Sequence, residues 1–152
     1  EPLERTTLPP VKAVLAASGI RTRVMHNCLG ICMFLPYGLA DFPKIVRSVT
    51  GWDATDVELL RTGERALALA RLYNAREGFG PGDDGQPPRF AQPLMLAGEE
   101  GAAIPDEALK EAVGLYYDIQ GWHRETGAPT RGRLQELSLD WAVDILDQIG
   151  SP

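Results

Sequence analysis

The chain has 152 residues, with 15 Lys and Arg against 21 Asp and Glu, a net charge of −6 and 44% hydrophobic residues. That length reads as a single domain over 1–152 with room for a core. The acidic balance, with no Lys/Arg cluster, argues against a nucleic-acid footprint, and no apolar run approaches the ~20 residues of a membrane span. The basic pairs Arg21/Arg23 and Arg131/Arg133 read as solvated. Two cysteines make no disulfide framework and no secretory segment is visible, so the cytoplasm is the default compartment. The chain opens Glu1-Pro2-Leu3 without an initiator methionine, which reads as an excised domain or a processed product.

The elements in chain order are mostly helical. Pro9 and Pro10 open a helix to about Ala17, with Val11, Val14 and Leu15 on one face, and Gly19 ends or kinks it before a resumption through Val24 and Met25. Asp41 and Pro43 start a helix that carries Ile45, Val46 and Val49 and stops near Gly51. Thr55-Asp56-Val57-Glu58 is a capping box, and its helix runs to about 74–77 with Val57, Leu60, Leu67, Ala70 and Leu72-Tyr73 as its apolar positions. Gly63 inside that helix costs about 1 kcal/mol relative to Ala, which either a close helix contact or simple tolerance would explain.

From Gly78 to Gly101 the chain is rich in Gly and Pro and predicts a long irregular loop, with Phe90, Leu94, Met95 and Leu96 packed against something. Within it Asp83-Asp84 reads as a solvated turn. Arg76-Glu77 and Arg89 are candidate ion-pair partners for loop groups, Arg89 for Asp83 or Asp84. Pro105 at the first helical position, with Asp106 and Glu107, begins a helix to about Gly121 bearing Leu109, Val113, Tyr116, Tyr117 and Ile119. Ala128-Pro129-Thr130 turns into a short helix through Leu137, and Asp140 to Ile149 forms a last amphipathic helix with Trp141, Ile145 and Leu146. No strand pattern or internal repeat is present, so the expected fold is all-α, multi-helical, with one long Gly/Pro-rich loop.

The chemistry concentrates in Asn27-Cys28-Leu29-Gly30-Ile31-Cys32-Met33-Phe34. Both cysteines lie there at a C-x3-C spacing. Thiolates suit iron–sulfur clusters, zinc or copper(I), but two of them cannot complete a four-ligand tetrahedral site, and the spacing is not the C-x2-C of zinc ribbons. Two packed core thiols are the structural alternative. His26 and His123 are far apart in sequence and carry no geometric argument. No Ser/His/Asp elbow, phosphate-cradling loop or H-E-x-x-H motif occurs, so no catalytic acid or base is named.

Several segments in order carry a resemblance. Asn27 to Phe34 is similar to a D-S-L-G-L-C-K-F signature. Thr50-Gly51-Trp52-Asp53 and Gly63-Glu64-Arg65 match a helix pattern, and Asn74 to Phe79 matches N-x-R-E-G. Asp83 to Phe90 resembles D-D-x-L-P-x-R-F. Tyr116-Tyr117 with Gly121-Trp122 matches Y-Y-x3-G-W, and Gly127 to Thr130 matches G-x-P-T. Together they resemble the C-terminal domain of the tungsten-containing aldehyde ferredoxin oxidoreductases, over roughly 5–139.

The resemblance implies an enzyme that, at full length, oxidises aldehydes to carboxylic acids and passes electrons through a 4Fe-4S cluster to ferredoxin. It implies that Cys32 is the fourth cluster ligand, three more cysteines coming from upstream domains, and that Asn27, Gly30 and Ile31 lie at one of two pterins holding tungsten or molybdenum. Asn27 stands where the family has aspartate, keeping a carbonyl acceptor but losing the charge. Cys28 replaces a serine and is a bystander. The isolated domain is expected to be inactive and to bind no cofactor. Two alternatives stand beside this: a related reductase acting on another carbonyl or a thioester, and a stand-alone helical interaction module.

Overall fold

The computed structural model describes residues 3–4, 7–93, 95–96, 99–101 and 103–149. The fold is all-α. Helices α1 (Pro10–Leu29), α2 (Phe42–Thr50), α3 (Asp56–Arg76), α4 (Asp106–Gln120), α5 (Arg131–Glu136) and α6 (Val143–Ile149) are joined by loops and single 3-10 turns. Among the described residues the extended structure amounts to one antiparallel pair, β1 (Met95–Leu96) with β2 (Glu99–Glu100), and an isolated bridge between Trp122 and Pro129. Helix α1 packs on α3 and α4, while α3 also takes α2 near one end and α6 near the other.

Local chemistry sets most helix ends. Thr55 Oγ1 accepts the Glu58 amide at 3.2 Å and Glu58 Oε2 accepts the Thr55 amide at 2.8 Å, so the expected capping box is formed. The same Thr55 amide holds the Glu58 carboxyl below its usual range. Gly51 closes α2 at φ +77 and Gly121 closes α4 at φ +70, left-handed positions suited to glycine. Pro105 caps α4 from outside, one residue earlier than the first-turn position expected for it.

Two expectations for the long helices are corrected. Helix α1 is continuous from Pro10 to Leu29, so Gly19 neither ends nor breaks it. Gly19 is exposed, and its propensity cost of about 1 kcal/mol is outweighed by packing on either side. The buried stripe of α1 is Ala13, Ala17, Met25 and His26, whereas Val11, Val14 and Leu15 face outward. Small side chains on that stripe let α3 and α4 come close.

The buried stripe of α3 is Leu59, Gly63, Glu64, Ala68, Arg71, Leu72 and Ala75, with Val57, Ala70 and Tyr73 exposed. Gly63 answers a close contact. A Cβ there would stand 3.1 Å from Met25 Cγ and 3.2 Å from the Arg21 carbonyl oxygen, tight against α1.

Apolar burial falls into two clusters. One joins Met25, Phe42, Val46 and Leu59, with Leu29 and Leu39 at its edge; the other joins Ala68, Leu72, Leu134, Leu137, Leu139, Ala142 and Val143. On α3, between the positions serving these clusters, Glu64 is 8% exposed and receives Arg21 at 3.0 Å, Arg61 at 3.3 Å and Arg133 at 3.2 Å. Glu136 accepts from Arg61 at 2.7 Å and Arg133 at 2.6 Å. Arg21 and Arg133 are therefore structural partners of a buried carboxylate instead of solvated charges, because a buried carboxylate needs compensating cations. At the C-terminal end, a 3-10 turn over Asp140–Ala142 precedes α6, and Trp141 is exposed where a core position was expected.

Candidate functional site

The cysteine segment straddles the end of α1. Asn27 and Cys28 sit on its last turn, both exposed. Gly30 follows at φ +67 and closes the helix: its amide donates to the Asn27 carbonyl at 3.1 Å, and the Ile31 amide to the His26 carbonyl at 2.9 Å. The chain then enters an irregular loop in which Cys32, Met33, Phe34, Leu35 and Tyr37 are all exposed, Phe34 at 88%. Its own order comes from the Leu35 amide on the Cys32 carbonyl at 3.1 Å and the Tyr37 amide on the Leu35 carbonyl at 2.8 Å. Leu39 returns the chain to the Phe42 cluster.

This geometry separates the cysteines from a core role: both thiols are free and exposed. Among the described residues no group of three or more His, Cys, Asp or Glu could hold a metal ion, so Cys32 can act only as one ligand of a set completed elsewhere. Asn27, Gly30, Ile31 and Cys32 line one turn and the loop after it. No atom lies within 4 Å of the position a Gly30 Cβ would take, leaving the backbone open to a bulky group. The Asn27 side chain has no hydrogen-bond partner among the described residues. The donor set thus fits a cofactor approached from outside the chain: one soft thiolate, a bare glycine, a free amide and an apolar rim.

Neither histidine joins Cys32 as a ligand. His26 is buried with both ring nitrogens on carbonyl oxygens, and His123 is exposed on the turn after α4.

The Gly/Pro-rich loop is built differently. It runs from Gly78 through 3-10 turns at Pro81–Asp83 and Pro88–Ala91. Phe90 and Met95 are exposed, contrary to the packing expected of them; Leu94 and the Leu96 side chain lie outside the described residues. What fixes the loop is Asp84. Its carboxylate lies 2.7 Å from Arg71 Nη1 and accepts the Tyr117 hydroxyl. Arg71 Nε donates to the Gly127 carbonyl and Nη2 to the Tyr117 oxygen, both at 2.8 Å. The guanidinium also sits 5.1 Å from the Tyr117 ring centroid and 5.2 Å from that of Trp122.

Asp84 is therefore not a solvated acid. Asp83 instead accepts the Gly80 amide at 2.8 Å, Arg89 among the described residues reaches the Gln92 carbonyl and neither aspartate, and Arg76 pairs with its neighbour Glu77. A cavity of about 640 Å³ remains between this loop and α4, bordered by Pro81, Gln86, Leu109, Val113 and Tyr117.

Arg71 escaped the sequence reading, and Glu64 entered it only within the Gly63-Glu64-Arg65 match. Both were legible in principle, since they fall at i and i+7 on the same stripe as Leu59, Ala68, Leu72 and Ala75. Four separated segments, around Asp84, Tyr117, Trp122 and Gly127, converge on Arg71.

The chain also matches known proteins over most of its length. A family model described as aldehyde ferredoxin oxidoreductase, domains 2 and 3, matches residues 1–139. The chain belongs to the aldehyde ferredoxin oxidoreductase family. It is 34% identical over 114 residues to the tungsten-containing aldehyde ferredoxin oxidoreductase of Pyrococcus furiosus, covering 72% of this chain and 18% of that protein. With the same enzyme of Thermococcus kodakarensis it shares 32% over 116 residues, 74% of this chain and 19% of the relative. Among solved structures it resembles the active-site complex BamBC of benzoyl coenzyme A reductase with 1,5-dienoyl-CoA, at a TM-score of 0.76 and 25% identity, over 100% of this chain and 24% of that one. The chain thus spans less than a fifth of the curated relatives it matches. Among the described residues, no helix is long and apolar enough to cross a membrane.

Proposed function

We propose that this chain is the C-terminal domain of a tungsten- or molybdenum-pterin oxidoreductase that converts aldehydes to carboxylic acids, and that Cys32 is the fourth ligand of its 4Fe-4S cluster. The observation that carries this is the Cys32 loop: an exposed thiol on an exposed apolar loop, beside a glycine that leaves the backbone open. Such an apolar patch on a chain of ordinary composition marks a surface that another part of the protein covers. The missing ligands and the second face of the site would come from upstream domains of the same polypeptide. The assembled enzyme would be cytoplasmic.

The metal–pterin group and cluster, when bound, supply the two-electron oxidation of aldehyde plus water to carboxylate, with electrons leaving one at a time to ferredoxin. The chain's own residues hold and shape that site. Cys32 would supply a thiolate to the cluster, Gly30 and Ile31 would border the pterin, and Asn27 would offer it a neutral amide where a carboxylate would bring charge. Met33, Phe34 and Leu35, exposed here, would keep water from the cluster once covered and so would influence its potential.

The test uses the full-length enzyme. Cys32→Ser is expected to abolish the 4Fe-4S electron paramagnetic resonance signal and lower bound iron, while Cys28→Ser leaves both unchanged. Unchanged iron in Cys32→Ser removes the ligand assignment, and a full-length protein that carries no iron or tungsten leaves a helical interaction module as the reading. The structural likeness to the benzoyl coenzyme A reductase complex favours one second reading, a reductase acting on a thioester with the same cluster arrangement. Turnover assays with aldehyde and with aromatic acyl-CoA separate the two.

A further inference from the structure

His26 stands on the last turn of α1, 8% exposed, with its ring edge-on to Phe42 at a centroid distance of 4.9 Å. Nδ1 lies 3.0 Å from the Thr22 carbonyl oxygen and Nε2 lies 3.2 Å from that of Tyr37. A neutral imidazole carries one N–H, so it donates to one of these at a time. The Thr22 carbonyl is four residues back in the helix and already accepts the His26 main-chain amide. The Tyr37 carbonyl has no other donor among the described residues. The assignment that satisfies both carbonyls is Nε2–H donating to Tyr37.

One residue thereby holds both ends of the cysteine loop. The His26 main-chain carbonyl accepts the Ile31 amide at 2.9 Å at the front, and its ring holds Tyr37 at the rear. Between these points the loop offers the body of the protein little else, since 32–38 are exposed. Its bonds between 32 and 37, Leu35 to Cys32 and Tyr37 to Leu35, are internal, and beyond Tyr37 the chain is held by the Gly38 amide on Asp41 Oδ2 at 2.9 Å and by Leu39 against the Phe42 cluster.

We propose that His26 is a positioning residue for Cys32, fixing the orientation of the loop and so the direction from which the thiolate meets its metal. It acts through Tyr37 and not as a ligand, because the ring is 8% exposed and each of its nitrogens faces a carbonyl oxygen of this chain. The inference rests on Cys32 being the cluster ligand.

Two variants test it in the full-length cluster-loaded enzyme. His26→Leu keeps the apolar contact with Phe42 and removes the donor; His26→Gln keeps a side-chain N–H. The leucine variant is expected to release iron to a chelator about fivefold faster, the loss of roughly one hydrogen bond's worth of hold. It should also shift the cluster's g values and midpoint potential, while helical content and thermal midpoint stay near those of the parent. The glutamine variant should recover most of the parent signal.

Parent-like iron release and g values in His26→Leu overturn the proposal, as does a disturbed spectrum that glutamine leaves uncorrected. Amide hydrogen exchange over 31–37 gives a readout that needs no cluster. Faster exchange in His26→Leu is expected, and unchanged exchange overturns the hold on Tyr37. Should Cys32→Ser retain its iron, the ligand reading falls, and the exchange result still reports separately on the His26 clamp.

Discussion

The two long connections of this molecule invite comparison. The loop after α1 carries Cys32 and a row of exposed apolar side chains, and one buried imidazole ties it to the body. The Gly/Pro-rich loop after α3 is longer and more polar, yet a buried arginine bonded to three segments pins it. On α3, Leu59, which shares a cluster with Leu29 and Leu39 at the ends of the cysteine loop, lies about 18 Å along the helix from Arg71. The difference teaches that irregularity in sequence does not report how firmly a loop is held. The cysteine loop spends its apolar surface outward, as a segment completed by another part of an enzyme would. The Gly/Pro loop spends its carboxylate inward, and stability depends on it.

That contrast yields an ordering of effects on folding. Arg71→Leu should be the most costly, about 3 kcal/mol by urea unfolding, the low end for breaking a buried ion pair. The low end applies because Asp84 is 35% exposed and can turn to water. A loss below about 1 kcal/mol would break the comparison, since the loop would then be no better anchored than an ordinary surface connection.

Gly127→Ala should follow at about 2 kcal/mol, because a left-handed backbone costs an L-residue about 1–2 kcal/mol. Gly127 has φ +68, and its added methyl would also overlap the Arg71 guanidinium. Thermal melts of Gly127→Ala alone and combined with Arg71→Leu separate the two causes, the overlap vanishing in the double variant.

Tyr117→Phe should cost about 1 kcal/mol and carries a pH signature. Burial, and next its hydrogen bond to Asp84, push the Tyr117 hydroxyl from 10.0 up to about 12. The folded value lies above the unfolded one, so this stabilisation is fully present below about pH 10 and is lost as pH rises toward about 12. Urea midpoints of the parent should fall across that window, and Tyr117→Phe should flatten the fall. An identical slope in both proteins would assign the alkaline loss to other groups.

Phe34→Ser should have the smallest effect on this chain's stability, within about 0.5 kcal/mol, since Phe34 is 88% exposed. In the full-length enzyme the same change should weaken the seating of the loop and raise iron loss. A stability loss above about 1 kcal/mol in the 152-residue chain would mean that Phe34 packs within it after all.

Much of the fold was legible. The all-α class, the capping box at Thr55, the stop at Gly51 and the thiol segment all follow from local rules, and the ordered motifs placed the chain in its family. The legible features are those decided within one turn of chain: a cap, a glycine in the left-handed region, a proline at a helix start. What the sequence hid was the inward direction of the two longest helices, α1 and α3. Val11, Val14 and Leu15 make a better apolar stripe on α1 than Ala13 and Ala17, yet the alanines face inward because close helix approach rewards small side chains. On α3 the stripe carries Glu64 and Arg71, which a search for apolar periodicity passes over.

The sequence by itself determined the helical class, several helix ends such as those at Thr55 and Gly51, the place of the two thiols and the family. Only the tertiary structure decided that Cys32 is exposed, that the buried His26 ring lies between the Thr22 and Tyr37 carbonyl oxygens, and that Asp84 is paired with Arg71. The physical reason is that a cap is satisfied by neighbours in sequence. A buried charge or a loop anchor needs partners such as Arg71 and Asp84, or Glu64 and Arg133, that only folding brings together.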